Sequence, residues 1–320
     1  MRKIIGLVTA AALLVAGCGT TEDPAAEGSQ NTGEKITLTD SRGKEVTLDG
    51  PAERIAVTEW NAVEYVVSLG LTPTAVSDIE GYKAWSSAEP LPDGVTDLGT
   101  RGEPSTDTLG SLNLDLVIVT DELTEGALEQ IEEDIPVIVI MGGNRDDSLG
   151  EMWKNIELVA KATGTEDKVA GLRSDWEAKV EEGKAAVEAA GATGEKVAFS
   201  DAYVDAGTVN VRPFAKGSQV SDVLEAIGLE NAWPMEGDEA YGLASADVEG
   251  LTVLGDVRFW YVANDAFGDP YTQELANNAI WTNLPFVKSG KVHRFPDSIW
   301  MFGGPTSMAQ YIDAAVEALG

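Results

Sequence analysis

Residues 165–191, TEDKVAGLRSDWEAKVEEGKAAVEAAG, carry the reading that decides the fold. The apolar positions Val169, Leu172, Trp176, Val180 and Val187 keep to one face of a 3.6-residue period. That spacing predicts one long helix, roughly 39 Å from end to end at 1.5 Å per residue. Thr165 is placed to cap its first turn, Glu166 and Asp167 suit the positive end of the helix dipole, and Gly191 is a stop. Strand-and-turn sequence flanks the helix on both sides. It therefore reads as a strut joining two lobes or as an amphipathic helix inside one domain.

On the N-terminal side, Ile36–Thr39 and Val46–Leu48 alternate around a Ser41-Arg42-Gly43-Lys44 turn, a predicted hairpin. Arg54–Val57 reads as a strand leading into a helix over Asn61–Leu69, and Thr74–Val76 as a short strand. Leu116–Val119 and Pro136–Ile140 are unbroken apolar runs, as expected of strands covered on both faces of a parallel sheet. Beyond the long helix the pattern restarts. Val197–Phe199, Val209–Val211, Phe259–Val262 and Val292–Phe295 are predicted strands; Val220–Ile227 and Met308–Leu319 are predicted helices. Ser105-Thr106-Asp107 ahead of the Asp115 strand is echoed by Ser245-Ala246-Asp247 ahead of the Asp256 strand. The expected fold class is α/β, two Rossmann-like lobes (35–164 and 192–320) joined by the helix at 165–191.

Composition narrows the functions open to such a chain. Its 22 Lys and Arg against 54 Asp and Glu give a formal charge of −32, which repels nucleic acid and strongly anionic ligands. With one cysteine, Cys18, no intrachain disulfide forms, and with one histidine, His293, no multi-Cys or multi-His metal site is possible.

Residues 1–17 read as a secretory signal: Arg2 and Lys3, an apolar run from Ile4 to Ala16, then Gly17. Leu14-Val15-Ala16-Gly17-Cys18 resembles a bacterial lipobox, which implies lipidation of Cys18 and anchorage on the extracytoplasmic face of the cell membrane. Residues 18–34 have no apolar period and read as a disordered tether.

Several stretches, in order, resemble the substrate-binding lipoproteins of iron–siderophore ABC importers, the ferric hydroxamate-binding type in particular. They are Pro51–Val57 with the helix to Gly70, Asp97–Pro104, Leu114–Ile118, Val223–Leu229 with Asn231-Ala232-Trp233, Trp281–Val292, and Ile299–Gly304. The resemblance implies two lobes bridged by one helix, a shallow ligand cleft between them, and modest closure. It also implies a monomer that needs no cofactor of its own, iron arriving already chelated, with a ferric siderophore and ABC permease subunits as partners.

A ferric trihydroxamate presents an apolar shell and a patch of metal-bound oxygens, so its recognition calls for aromatic faces and Arg donors. Arg101 and Trp300 match family positions at the cleft, as does Tyr241 in the second lobe. Trp60, expected on the loop after the Arg54–Val57 strand, and Arg212, expected just past a strand, complete the candidate ligand set. Tyr82 and Trp85 lie in a Gly-rich, non-periodic stretch that either covers the ligand or, the favoured reading, packs as a loop. Trp153, Trp176, Trp233 and Trp281 read as core. By resemblance, Asp107 and Asp247 each present a carboxylate to the permease, the alternative being helix N-caps.

Within this reading, neutral or cationic hydroxamates suit the acidic background better than triply anionic catecholates. Cobalamin or haem are same-fold alternatives, and a sensory or adhesive lipoprotein is another. An extracellular hydrolase is the alternative of a different class, but His293 stands beside no nucleophile motif and reads as structural.

Overall fold

The computed structural model describes residues 34–320; the expected signal segment, Cys18 and nearly all of the tether lie outside the described residues. The chain opens on a hairpin, β1 (Ile36–Thr39) and β2 (Glu45–Leu48). It continues through β3 (Ile55–Val57), α1 (Trp60–Ser68), β4 (Ala75–Val76), α2 (Ile79–Trp85), β5 (Thr96–Asp97) and α3 (Thr106–Ser111). Then come β6 (Leu116–Thr120), α4 (Glu125–Glu132), β7 (Val137–Ile140) and α5 (Ser148–Thr163). After α6 (Glu166–Ala189) follow β8 (Lys196–Asp205), β9 (Thr208–Pro213), α7 (Gln219–Ala226) and β10 (Glu230–Asn231). The chain closes with β11 (Arg258–Tyr261), α8 (Pro285–Lys288), β12 (Val292–Arg294) and α9 (Pro305–Glu317).

Besides the hairpin, two five-stranded sheets form among the described residues, one on each side of α6 in sequence. The first is fully parallel in the order β5-β4-β3-β6-β7, with Ala56 opposite both Ala75 and Val117. Leu116–Thr120 and Val137–Ile140 are buried at every position, which is why they lack strand alternation in the sequence. The second sheet runs β10-β8-β11-β12 in parallel, and β9 folds back antiparallel on β8. Both halves are thus doubly wound α/β units. The echoed carboxylates ahead of the two strands have different partners. Asp115 accepts from the backbone N–H groups of Glu53 and Arg54, whereas Asp256 accepts from the side chains of Ser289 (Oγ) and Lys291 (Nζ).

The echo at Asp107 and Asp247 is not matched in detail. Ser105, not Asp107, caps α3, accepting from the Thr108 N–H at 3.2 Å. Asp247 instead accepts from the Gly250 N–H at 2.8 Å, closing a turn. Both aspartates are exposed. Ser105→Ala is therefore expected to lower stability by about 1 kcal/mol, read as a drop in urea midpoint, with Asp107→Ala changing it far less.

Helix α6 forms where the sequence placed it, with one correction at its start. Thr165 does not cap the first turn; its hydroxyl pairs with that of Thr163 at 2.8 Å. Gly191 ends the helix in the left-handed region, its N–H returning to the Glu188 carbonyl. Nor is the helix a bare strut. Trp176, Gly183 and Val187 are buried, and a side chain added at Gly183 would meet Ile312 of α9 at 2.5 Å and Ile227, at the C-terminal end of α7, at 2.9 Å. One continuous apolar core, including Ile55, Trp60, Val187, Phe199 and Ile312, runs through both halves. Trp153, Trp176, Trp233 and Trp281 are all buried.

Further ties cross between the halves. Asn264 Nδ2 and Ser298 Oγ both donate to the Ala84 carbonyl, and the Ser87 N–H donates to the Ser298 carbonyl. Ser148 Oγ donates to Asp222, and the Arg145 guanidinium to the Gly237 carbonyl. The helix is one of several links that hold the lobes in register.

Candidate ligand-binding cleft

In a doubly wound sheet, consecutive connections diverge where the strand order reverses, leaving a crevice beyond the carboxyl ends of two neighbouring strands. The first sheet reverses between β3 and β6, the second between β8 and β11. A cleft of about 710 Å³ opens between the halves at both points. Glu59, Trp60 and Asn61 enter it just past β3, and Glu122 just past β6. Asp201–Val204 of β8 and Val262–Asn264 beyond β11 line the opposite wall. That volume matches a drug-sized or larger organic ligand.

The floor is a chain of rings. Trp60 and Trp300 meet edge to face at 4.8 Å, Trp300 and Phe302 at 5.2 Å, and Phe302 and Tyr241 at 5.4 Å. Trp60 is not on a loop as expected; it is the first residue of α1, 3% exposed, with Nε1 donating to the Ser77 carbonyl at 3.2 Å. Trp300 is 9% exposed, and among the described residues its Nε1 has no hydrogen-bond partner. Tyr241 lies against the Gly142-Gly143 backbone of the other half, where any side chain would collide with its ring. Burial, and then Glu122, hold its phenol well above the ordinary range, so it stays protonated.

Two arginines flank this floor. The Arg101 guanidinium sits 3.8 Å above the Trp60 ring, and that of Arg212 lies 5.6 Å from Phe302. Neither is free of a partner. Arg101 donates to Glu59 at 3.1 Å, and Arg212, which lies within β9 rather than past a strand, grips both oxygens of Asp201. Burial pushes the Glu59 carboxyl above its usual range, and Arg101 pulls it back.

Of the sequence candidates, Trp60, Arg101, Arg212, Tyr241 and Trp300 all line this one cleft. Two neighbours behave differently from expectation. The stretch holding Tyr82 and Trp85 is helix α2, not a loop; Tyr82 is fully buried, with its hydroxyl donating to the Glu89 carbonyl. Trp85 lines the cleft and stacks on Phe267 of the other half at 5.7 Å and 21°. Phe267, 67% exposed, and Phe302 carry much of the aromatic surface without having been singled out in the sequence. A large apolar residue in a Gly-flanked loop was the available signal for Phe267. His293 sits in β12, with its ring near Phe295.

The periplasmic binding protein family model matches residues 55–299. The chain belongs to that family. Within the periplasmic binding proteins, it is 24% identical over 297 residues to the Fe(3+)-citrate-binding protein YfmC of Bacillus subtilis, covering 93% of this chain and 90% of that one. It is 24% identical over 267 residues to the iron(3+)-hydroxamate-binding protein FhuD of Escherichia coli, covering 83% and 87%. The crystal structure of the Fe3+-Desferal-bound siderophore-binding protein FhuD from Vibrio cholerae superposes with a TM-score of 0.74. Its sequence identity is 22%, with 83% of this chain and 97% of that one covered. That superposition shows that the Vibrio cholerae protein shares the fold described above.

Proposed function

We propose that this periplasmic binding protein captures a ferric siderophore of the hydroxamate type and delivers it to an ABC importer. The observation that carries the reading is the ring floor flanked by Arg101 and Arg212 at the meeting of two switch points. Aromatic faces suit the apolar shell of a trihydroxamate, and the guanidinium forks suit its iron-bound oxygens. On this reading iron arrives already chelated, its coordination sphere filled by the siderophore's own oxygens. The protein binds and releases its ligand without transforming it. Lipidation at Cys18 tethers it to the outer face of the membrane, and the exposed Asp107 and Asp247 meet cationic residues of the permease.

Charge sharpens the ligand class. Five carboxylates (Glu59, Glu122, Asp201, Asp269 and Glu274) and two guanidiniums line the cleft, a formal excess of three negative charges. Neutral and cationic ferric chelates are favoured over triply anionic ones. Intrinsic tryptophan quenching tests both points, because Trp60, Trp85 and Trp300 all line the site. Ferric desferrioxamine B is expected to bind with Kd below ~10 μM, and its association to slow as salt is added. No quenching by any ferric hydroxamate, or tighter binding of a triscatecholate, would sink the assignment.

A further inference from the structure

The fully buried carboxyl of Glu64 takes no part in the cleft lining, yet it ties the two halves together. It lies on α1, in the middle of the first half. Its Oε1 accepts from Ser86 Oγ at 2.5 Å and from Ser307 Oγ at 2.7 Å, and its Oε2 accepts from the Gly304 N–H at 2.6 Å. Gly304 and Ser307 belong to the start of α9, a helix with no side-chain cap of its own. Immediately before it runs the strap Ile299–Gly304, which carries Trp300 and Phe302 into the cleft. A Cβ at Gly303 would stand 2.4 Å from the Glu64 Oε2, so the carboxylate needs glycine there to reach the helix.

We propose that Glu64 is a positioning residue for ligand capture: it caps α9 from the opposite half and thereby fixes the aromatic strap at the cleft floor. The proposal rests on the siderophore-binding reading for its affinity readout, but the pinning itself is testable without ligand. An ionised carboxylate at a helix start is favoured by the helix dipole and by its converging donors. The groups facing it are Glu89, whose charge opposes ionisation, and the phenols of Tyr65 and Tyr82, which stay neutral. Burial, the largest influence, raises the Glu64 carboxyl to about 7, so its charge changes within the physiological range. As the carboxyl takes up a proton the cap weakens and the strap loosens.

Three variants separate positioning from bulk stability: Glu64→Gln, Ser307→Ala and Gly303→Ala. The first neutralises the carboxylate at constant shape, the second removes one donor, and the third pushes the carboxylate away. In ligand-free protein, backbone hydrogen exchange at residues 299–307 is expected to speed up in all three more than the shift in urea midpoint accounts for. With ferric desferrioxamine B at pH 8, Kd is expected to rise about tenfold in Glu64→Gln. The wild type should also bind more weakly as pH falls from 8 to 6, a trend absent in Glu64→Gln. Unchanged exchange in the strap overturns the pinning. A lowered urea midpoint with unchanged Kd and an unchanged pH profile overturns the role in capture and leaves Glu64 a structural residue. Failure of the wild type to bind any ferric hydroxamate, with faster strap exchange in the variants, refutes the ligand assignment and retains the cap.

Discussion

Gly183→Val is expected to lower the stability of the folded chain by about 3 kcal/mol, a large share of the margin that a domain of this kind holds. In an isolated helix the same glycine is a weakness, since replacing Gly by Ala gains about 1 kcal/mol. Here that gain is overridden. The α6 backbone approaches α9 and α7 so closely that a first side-chain carbon would lie 2.5 Å from Ile312 and 2.9 Å from Ile227. Valine adds two further carbons in the same space, so α6 must move off its neighbours or they must leave their rotamers. Gly171 supplies the internal comparison: it sits on the same helix with nothing near its missing side chain, so Gly171→Ala should stabilise slightly. Urea unfolding of the two variants beside the wild type checks both signs. An unchanged midpoint in Gly183→Val would mean that α6 is not seated against the second half.

Gly183 also marks where the sequence stops being readable. The period of Val169, Leu172, Trp176, Val180 and Val187 located the helix, but a glycine is a gap in an apolar pattern and says nothing about what lies opposite. The buried runs at Leu116–Thr120 and Val137–Ile140 announced a parallel sheet because strands covered on both faces need no polar alternation. The helix over Ile79–Trp85 was missed because Gly81 and a single turn of useful period resemble a loop; Asp78 in the left-handed region caps it through the Gly81 N–H.

The site was legible by residue type and illegible by pairing. Trp60, Arg101, Arg212, Tyr241 and Trp300 do converge. No local pattern, however, joins Glu59 to Arg101, 42 positions away, or Glu64 to Ser307, 243 positions away. The first pair exists only once the first sheet has folded, and the second only once the two halves have met. Because Glu59 already engages Arg101, and Asp201 engages Arg212, a reading by residue type overstates how much free positive charge the site holds.

That pairing governs what happens when Arg101 is removed. Arg101→Ala is expected to weaken binding of a ferric trihydroxamate by about 2 kcal/mol, roughly thirtyfold in Kd. The guanidinium sits 3.8 Å over the Trp60 ring and, among the described residues, spends one donor, Nη1, on Glu59, so its remaining N–H groups are available to iron-bound oxygens. Stability should move much less, because the Arg101 side chain is 34% exposed and its ion pair is partly screened by water. Arg101→Lys should recover only part of the affinity, since a point charge cannot lie on the indole face and reach adjacent oxygens with a fork. Glu59→Gln takes away the competing negative charge while leaving an amide oxygen in place, and should hold or improve affinity. Calorimetric titration of the three variants separates the roles. If Arg101→Ala binds as the wild type does while Glu59→Gln loses affinity, the pair exists to neutralise a buried carboxylate, and the oxygens of the ligand must be met by Arg212 across the cleft.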